Sequence, residues 1–214
     1  MTISATNQGL RPGVCTSTSR PSTPFDGMMI YETDTNLVLV WDNAAWVMIA
    51  DTDSPPGLQL IKNEAVGSGL STLTINNIFS SEFDAYKIVF SNIDGTASTG
   101  YLRLQLVDSG GTAATTNYSS SGIYLTYAST TVNGINETEW RTALGDQNFG
   151  GSVEIFNPFL SVATYAMSMV ADNSFYRSYA WKHSTASSYT GLKFDPSWGT
   201  ISGGNIRVYG FRNS

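Results

Sequence analysis

The chain has 214 residues, a formal net charge of −6, and only 13% charged residues against 41% hydrophobic ones. Its 11 Lys and Arg are scattered without a basic run, so the positive footprint of a nucleic-acid-binding surface is missing. The single cysteine, Cys15, excludes an internal disulfide framework and offers no metal site by itself.

Ser, Thr, Asn and Gly take the place of the missing charges. That balance suits strands and turns better than helices. It is also poor in Lys and Glu, which are depleted where proteins meet one another. Met1-Thr2-Ile3-Ser4-Ala5 has neither a basic nor an apolar signal region, and no apolar run approaches the roughly 20 residues of a membrane helix. The expectation is a chain made in a cytoplasm, without membrane insertion. The sequons at Asn117 and Asn136 therefore carry no weight.

Residues 1–24 read as an extended arm. The stretch Thr16 to Pro24 is rich in Ser, Thr and Pro, and Pro12, Pro21 and Pro24 each turn the preceding residue away from helix. Residues 25–50 read as a β-meander, with strands at 28–33, 37–41 and 45–49 and turns at Asp34-Thr35-Asn36 and Asp42-Asn43-Ala44. Three short strands are marginal alone. Yet this segment carries Phe25, Tyr31, Trp41 and Trp46, whose rings need cover. The cover comes either from the downstream domain or from sister copies of the meander. These four residues are the candidate oligomerisation set.

Residues 51–57 contain Pro55-Pro56-Gly57, which stops any strand or helix, and are read as the linker. From 58 to 214, about ten short apolar strands alternate with turn residues. The clearest period-two runs are 86–90 and 101–107. This pattern predicts an antiparallel β-sandwich of jelly-roll type. Helical signals are confined to one turn at Ser80–Asp84 and a short helix at Asn136–Thr142, capped by Asn136 with Glu139 three residues on.

A search for catalytic chemistry finds little. His183 is the only histidine and has no second ligand nearby, so a structural or solvent-exposed histidine is the favoured reading. No nucleophile elbow or P-loop occurs, and the pairs Gly110-Gly111, Gly150-Gly151 and Gly203-Gly204 read as turns. Asp34, Asp42, Asp51, Asp53, Glu137, Glu139, Asp172 and Asp195 could in principle supply a glycosidase pair, but turn and cap use explains them. No cofactor is expected. Tyr118 and Trp198, in polar surroundings, are the candidate surface contacts for a glycan.

Two stretches carry a resemblance. Arg20-Pro21-Ser22-Thr23-Pro24-Phe25-Asp26-Gly27 through Tyr31-Glu32-Thr33-Asp34-Thr35-Asn36, continuing to Trp41 and Trp46, resembles a segment of many tail-fibre, minor tail and other virion proteins of tailed bacteriophages. Leu192 to Gly199, with Ile206-Arg207-Val208-Tyr209-Gly210, is similar to the closing strands of phage jelly-roll modules. Together they cover about a quarter of the chain. The resemblance implies a virion structural protein, a homotrimer, with the meander near the threefold axis. Its arm, including Arg11, Arg20 and Pro21, would anchor it to other virion proteins of the tail, baseplate or capsid. A short tail fibre or receptor-binding protein facing a host glycan or protein is the first expectation. A capsid decoration or head-fibre protein is the alternative, and a glycan-degrading tail enzyme is the remote one. The absence of long fibre repeats departs from the pattern.

Overall fold

The structure, a computed structural model, describes residues 12–51, 57–95, 101–125, 129–143, 148–171, 176–197 and 199–212. The chain divides into two compact units, Met1–Pro56 and Gly57–Ser214. Among the described residues all regular structure is β, and no helix is long and apolar enough to cross a membrane.

The first unit is one sheet of β1 (Gly13–Cys15), β2 (Met29–Glu32), β3 (Leu37–Trp41) and β4 (Trp46–Asp51), in that order. β2, β3 and β4 are the antiparallel meander. Asn36 and Asn43 make its turns possible, at φ 55° and 73°. All seven left-handed non-glycine residues among those described are asparagines, the side chain that best tolerates this region. This explains much of the asparagine content. The second turn is also fixed by Asp42, whose carboxylate accepts the Ala44 and Ala45 N–H groups at 3.0 and 2.7 Å.

β1 corrects the reading of an extended arm for its described part, from residue 12 on; residues 1–11 lie outside the described residues. It pairs in parallel with β2, Val14 opposite Tyr31. The outer edge of β2 would otherwise present unpaired backbone groups. Residues beyond β1 are tied down as well. Ser17 donates to the Asp34 carboxylate through its N–H (2.9 Å) and its hydroxyl (2.6 Å).

The second unit begins with β5 (Leu58–Ala65), β6 (Leu73–Ile75), β7 (Phe83–Gly95), β8 (Leu102–Val107), β9 (Tyr118–Leu125) and β10 (Ser129–Glu137). It continues with β11 (Trp140–Ala143), β12 (Phe149–Phe156), β13 (Thr164–Ala171), β14 (Tyr176–His183), β15 (Gly191–Pro196), β16 (Ile201–Ser202) and β17 (Asn205–Arg212). The larger sheet runs β10-β9-β14-β13-β12-β7-β17-β5, with β16 on the end of β7, and the smaller runs β11-β8-β15-β6. Set aside the hairpins β9–β10 and β13–β14 and the short β16. The remaining eight strands, numbered in chain order, then lie 1-8-3-6 in one sheet and 2-7-4-5 in the other.

The sheets pack face to face. Tyr86, Ile88 and Phe90 of β7 point inward with period two, and Ile93 rejoins them past an irregularity at Asn92, toward Leu104 and Leu106 of β8 and Leu192 and Phe194 of β15. Phe90 meets Phe194 edge-on at 5.9 Å between ring centres. Each such buried side chain stabilises by roughly 1.5–3 kcal/mol, so this layer dominates the fold.

Two local expectations are corrected. Residues 136–142 are not helical. They form the end of β10, a bend at Thr138–Glu139, and β11. Trp140 is fully buried there, and its burial outweighs a local capping pattern. Gly150 and Gly151 lie within β12 rather than in a turn. A Cβ on Gly151 would come within 2.3 Å of the Met169 carbonyl oxygen, so the close approach of β13 requires glycine.

Candidate functional site

Strand alternation divides the first unit into two unlike faces. One carries Ile30, Glu32, Leu39, Trp41, Trp46 and Met48. Ile30 and Leu39 are buried there, 1% and 3% exposed. Glu32 is also buried, and its carboxylate is held by the Arg20 guanidinium and by the Thr35 hydroxyl at 2.7 Å. Arg20 chiefly, then Thr35, keeps this carboxyl below its ordinary value. Arg20, expected as an anchor, is thus an internal clasp. Pro21, one residue on, is half-buried, and Arg11 lies outside the described residues.

The opposite face carries Val14, Met29, Tyr31, Val38, Val40 and Val47. None of the six is buried, and Val14, Met29 and Val47 are more than 40% exposed. Among the described residues no strand lies over this largely apolar face, whose Tyr31, Val38 and Val40 are only half-buried. The aromatic rings expected as the oligomerisation set lie mostly elsewhere. Trp41 and Trp46 are half-buried against each other, edge-on at 5.6 Å, on the covered face. Tyr31 stands on the uncovered face and donates to Asn36 Oδ1 at 2.7 Å. Phe25, 65% exposed, precedes β2. A signal for the missed residues existed. Leu37-Val38-Leu39-Val40-Trp41 is apolar at every position, as in a strand meant to be covered on both sides.

A second uncovered face lies on the larger sheet of the second unit. β13 alternates strictly, with Thr164, Ala166, Ser168 and Val170 inside and Tyr165, Met167 and Met169 outside. Ile123 of β9 and Tyr176 of β14 extend the same outer face. A solvated sheet face usually carries charged or polar side chains at such positions.

Tyr118 is not a surface contact. It opens β9 facing inward and is fully buried. Its Oη accepts the Leu106 N–H at 2.8 Å, tying the two sheets together. Its ring stands edge-on to Trp140 at 5.4 Å and lies 4.5 Å from the His183 ring. Burial raises its phenol pKa well above the ordinary value. Trp198, the other candidate glycan contact, lies outside the described residues. Replacing Tyr118 with Phe is expected to cost about 1–3 kcal/mol, because the Leu106 N–H loses its acceptor inside the protein. Denaturant unfolding checks this.

His183 is buried and satisfied. Thr116 O can only accept, so Nε2 carries the proton and donates at 3.1 Å; Nδ1 then accepts the Tyr189 hydroxyl at 3.4 Å. Burial pushes its pKa below 6.5. The unfolded chain therefore takes up a proton that the folded chain refuses, so stability falls as the pH drops below 6.5. His183→Gln should flatten that part of the stability–pH curve, read by thermal unfolding across the window.

The described carboxylates offered for catalysis are engaged structurally. Asp34 and Asp42 hold turns, and Asp195 pairs with Arg103 at 3.0 Å. Glu137 and Glu139 share Arg141, at 3.9 and 3.4 Å. Asp51 lies at the end of β4, while Asp53 and Asp172 lie outside the described residues. No cluster suited to a metal ion occurs among the described residues.

No protein-family model matches the chain, and no curated protein or solved structure does so either.

Proposed function

We propose that this chain is a structural protein of a tailed-phage virion that works by assembly and contact rather than by catalysis. The observation that carries the reading is the uncovered aliphatic face of the meander. Six apolar side chains on a four-stranded sheet need shelter that the described chain does not provide. The segment resembling phage virion proteins falls on this same sheet. Sister copies around a threefold axis would bury the face of each chain identically, giving a homotrimer. The strand succession of the second unit supports reading it as a jelly roll, a module in keeping with a virion exterior.

A short tail-fibre or receptor-binding protein is the first form of this reading. A capsid decoration or head-fibre protein is the second. It is favoured by the apolar outer face of the larger sheet, which suits lateral packing in a shell. Against the remote enzyme reading, Asp34, Asp42, Glu137, Glu139 and Asp195 are each held in a turn or an ion pair.

Quantitative mass spectrometry of purified particles, from a host producing the virus that encodes this chain, tests the proposal. Recovery in stoichiometric amount supports it, with few copies per particle favouring the tail and many favouring the shell. Particles that lack the chain while the lysate contains it would overturn it.

A further inference from the structure

We infer that the outer face of β9, β14 and β13 is a contact between copies of this chain, separate from the meander's face. Met169 is 72% exposed, Tyr176 69%, Met167 52%, Ile123 50% and Tyr165 47%. At the roughly 150–250 Å² that a large aromatic side chain buries, these five expose on the order of 500 Å². A stable interface takes about 800 Å² from each partner, so these side chains supply the larger part of one and the surrounding serines would supply the rest.

Charge selects the partner. The chain is acidic, at −6, so two copies repel wherever unneutralised carboxylates meet. Among the described residues of this face, the carboxylate is Glu154. Lys87 Nζ, 3.2 Å away, neutralises it. The other charge is Lys182, whose Nζ sits 6.0 Å from the centre of the Tyr165 ring at one end of the patch. Two such faces can meet without bringing unpaired carboxylates together.

Shape agrees. Met169 stands between two shallow depressions. One, about 260 Å³, is lined by Met167, Ser152 and Glu154. The other, about 220 Å³, is lined by Ile123 and Tyr176. Ser178 borders both. A knob flanked by hollows is complementary to itself. Across a twofold axis each Met169 enters its neighbour's hollow, and the same contact is made twice. Methionine adapts its shape to such a fit.

The test is sedimentation of the full chain over a range of concentrations. Three proteins are compared: the wild type, Met167→Glu/Met169→Glu, and the control Leu160→Glu/Val162→Glu. The control adds the same charge at exposed apolar positions in the loop between β12 and β13. Circular dichroism of the Trp140–Trp181 stack verifies that each variant is folded. The face variant is expected to weaken one association step at least about tenfold, with the control unchanged, since like charges across an interface repel. A wild type showing no such step, a face variant that associates like wild type, or a control that weakens equally overturns the inference. Failure of the meander's role would instead appear with substitutions at Val38 and Val40, so the two outcomes are distinguishable.

Discussion

Replacing Trp140 with Ala is expected to destabilise the second unit by about 3–5 kcal/mol, the usual cost of deleting a large buried aromatic side chain. Trp140 is fully buried on β11 and closes one end of the sandwich. It stacks on Trp181 of β14 at 5.6 Å with the rings 8° apart, and Tyr118 of β9 meets its edge. Its Nε1 donates to the Lys182 carbonyl oxygen at 3.3 Å. One side chain thus links the smaller sheet to two strands of the larger. Domains hold only about 5–15 kcal/mol in total, so the loss is a large part of the whole. Trp140→Phe should cost less, because the ring contact partly survives. Denaturant unfolding of both variants, followed by circular dichroism, checks the order. An alanine variant as stable as wild type would mean that β11 does not close the sandwich.

Removing residues 1–24 is expected to unfold the first unit, whereas removing residues 1–11 leaves it folded. The longer deletion takes away β1, so the edge of β2 is bared. It also takes away Arg20, leaving the buried Glu32 carboxylate without its cation. A buried charge that loses its partner is strongly destabilising. The same pairing sets an acid limit. Glu32 has its carboxyl pKa lowered from 4.5 in the folded chain, so its stabilisation is present above 4.5 and is lost as the pH falls through the lowered value. Trp41 and Trp46 fluorescence and hydrogen exchange at Ile30 and Leu39 report both effects. Equal protection in the two truncated forms would show that residues 12–24 are dispensable.

The sequence shows the strands well where burial is periodic. Residues 86–90 alternate cleanly because that stretch of β7 has one face on the core. The run 101–107 supplies β8, Leu102–Val107, but there Gln105 and Val107 are buried as well, so its alternation in sequence is not an alternation of burial. The meander and its asparagine turns were legible for the same local reasons. Pairing was not. β7 lies between β12 and β17, whose residues are far along the chain, and no local pattern states such partners. β1 was hidden because a strand of three residues in a Ser, Thr and Pro context depends on the edge it joins. Tyr118 was misplaced because its neighbours Asn117 and Ser119 are polar. Alternation nevertheless turns its ring inward while theirs face out. The uncovered faces were legible in part. The strand Leu37–Trp41 is apolar throughout, but only the register shows that Val38 and Val40 join Val14, Met29, Tyr31 and Val47 on one side.

Sedimentation equilibrium of the intact chain, from dilute to concentrated solution, bears most directly on whether the meander's bare side is sheltered by sister chains. The expected mass is that of three chains or a multiple of three, with Val38→Asp/Val40→Asp dissociating the trimer while the second unit stays folded. A single-chain mass at every concentration would contradict the account.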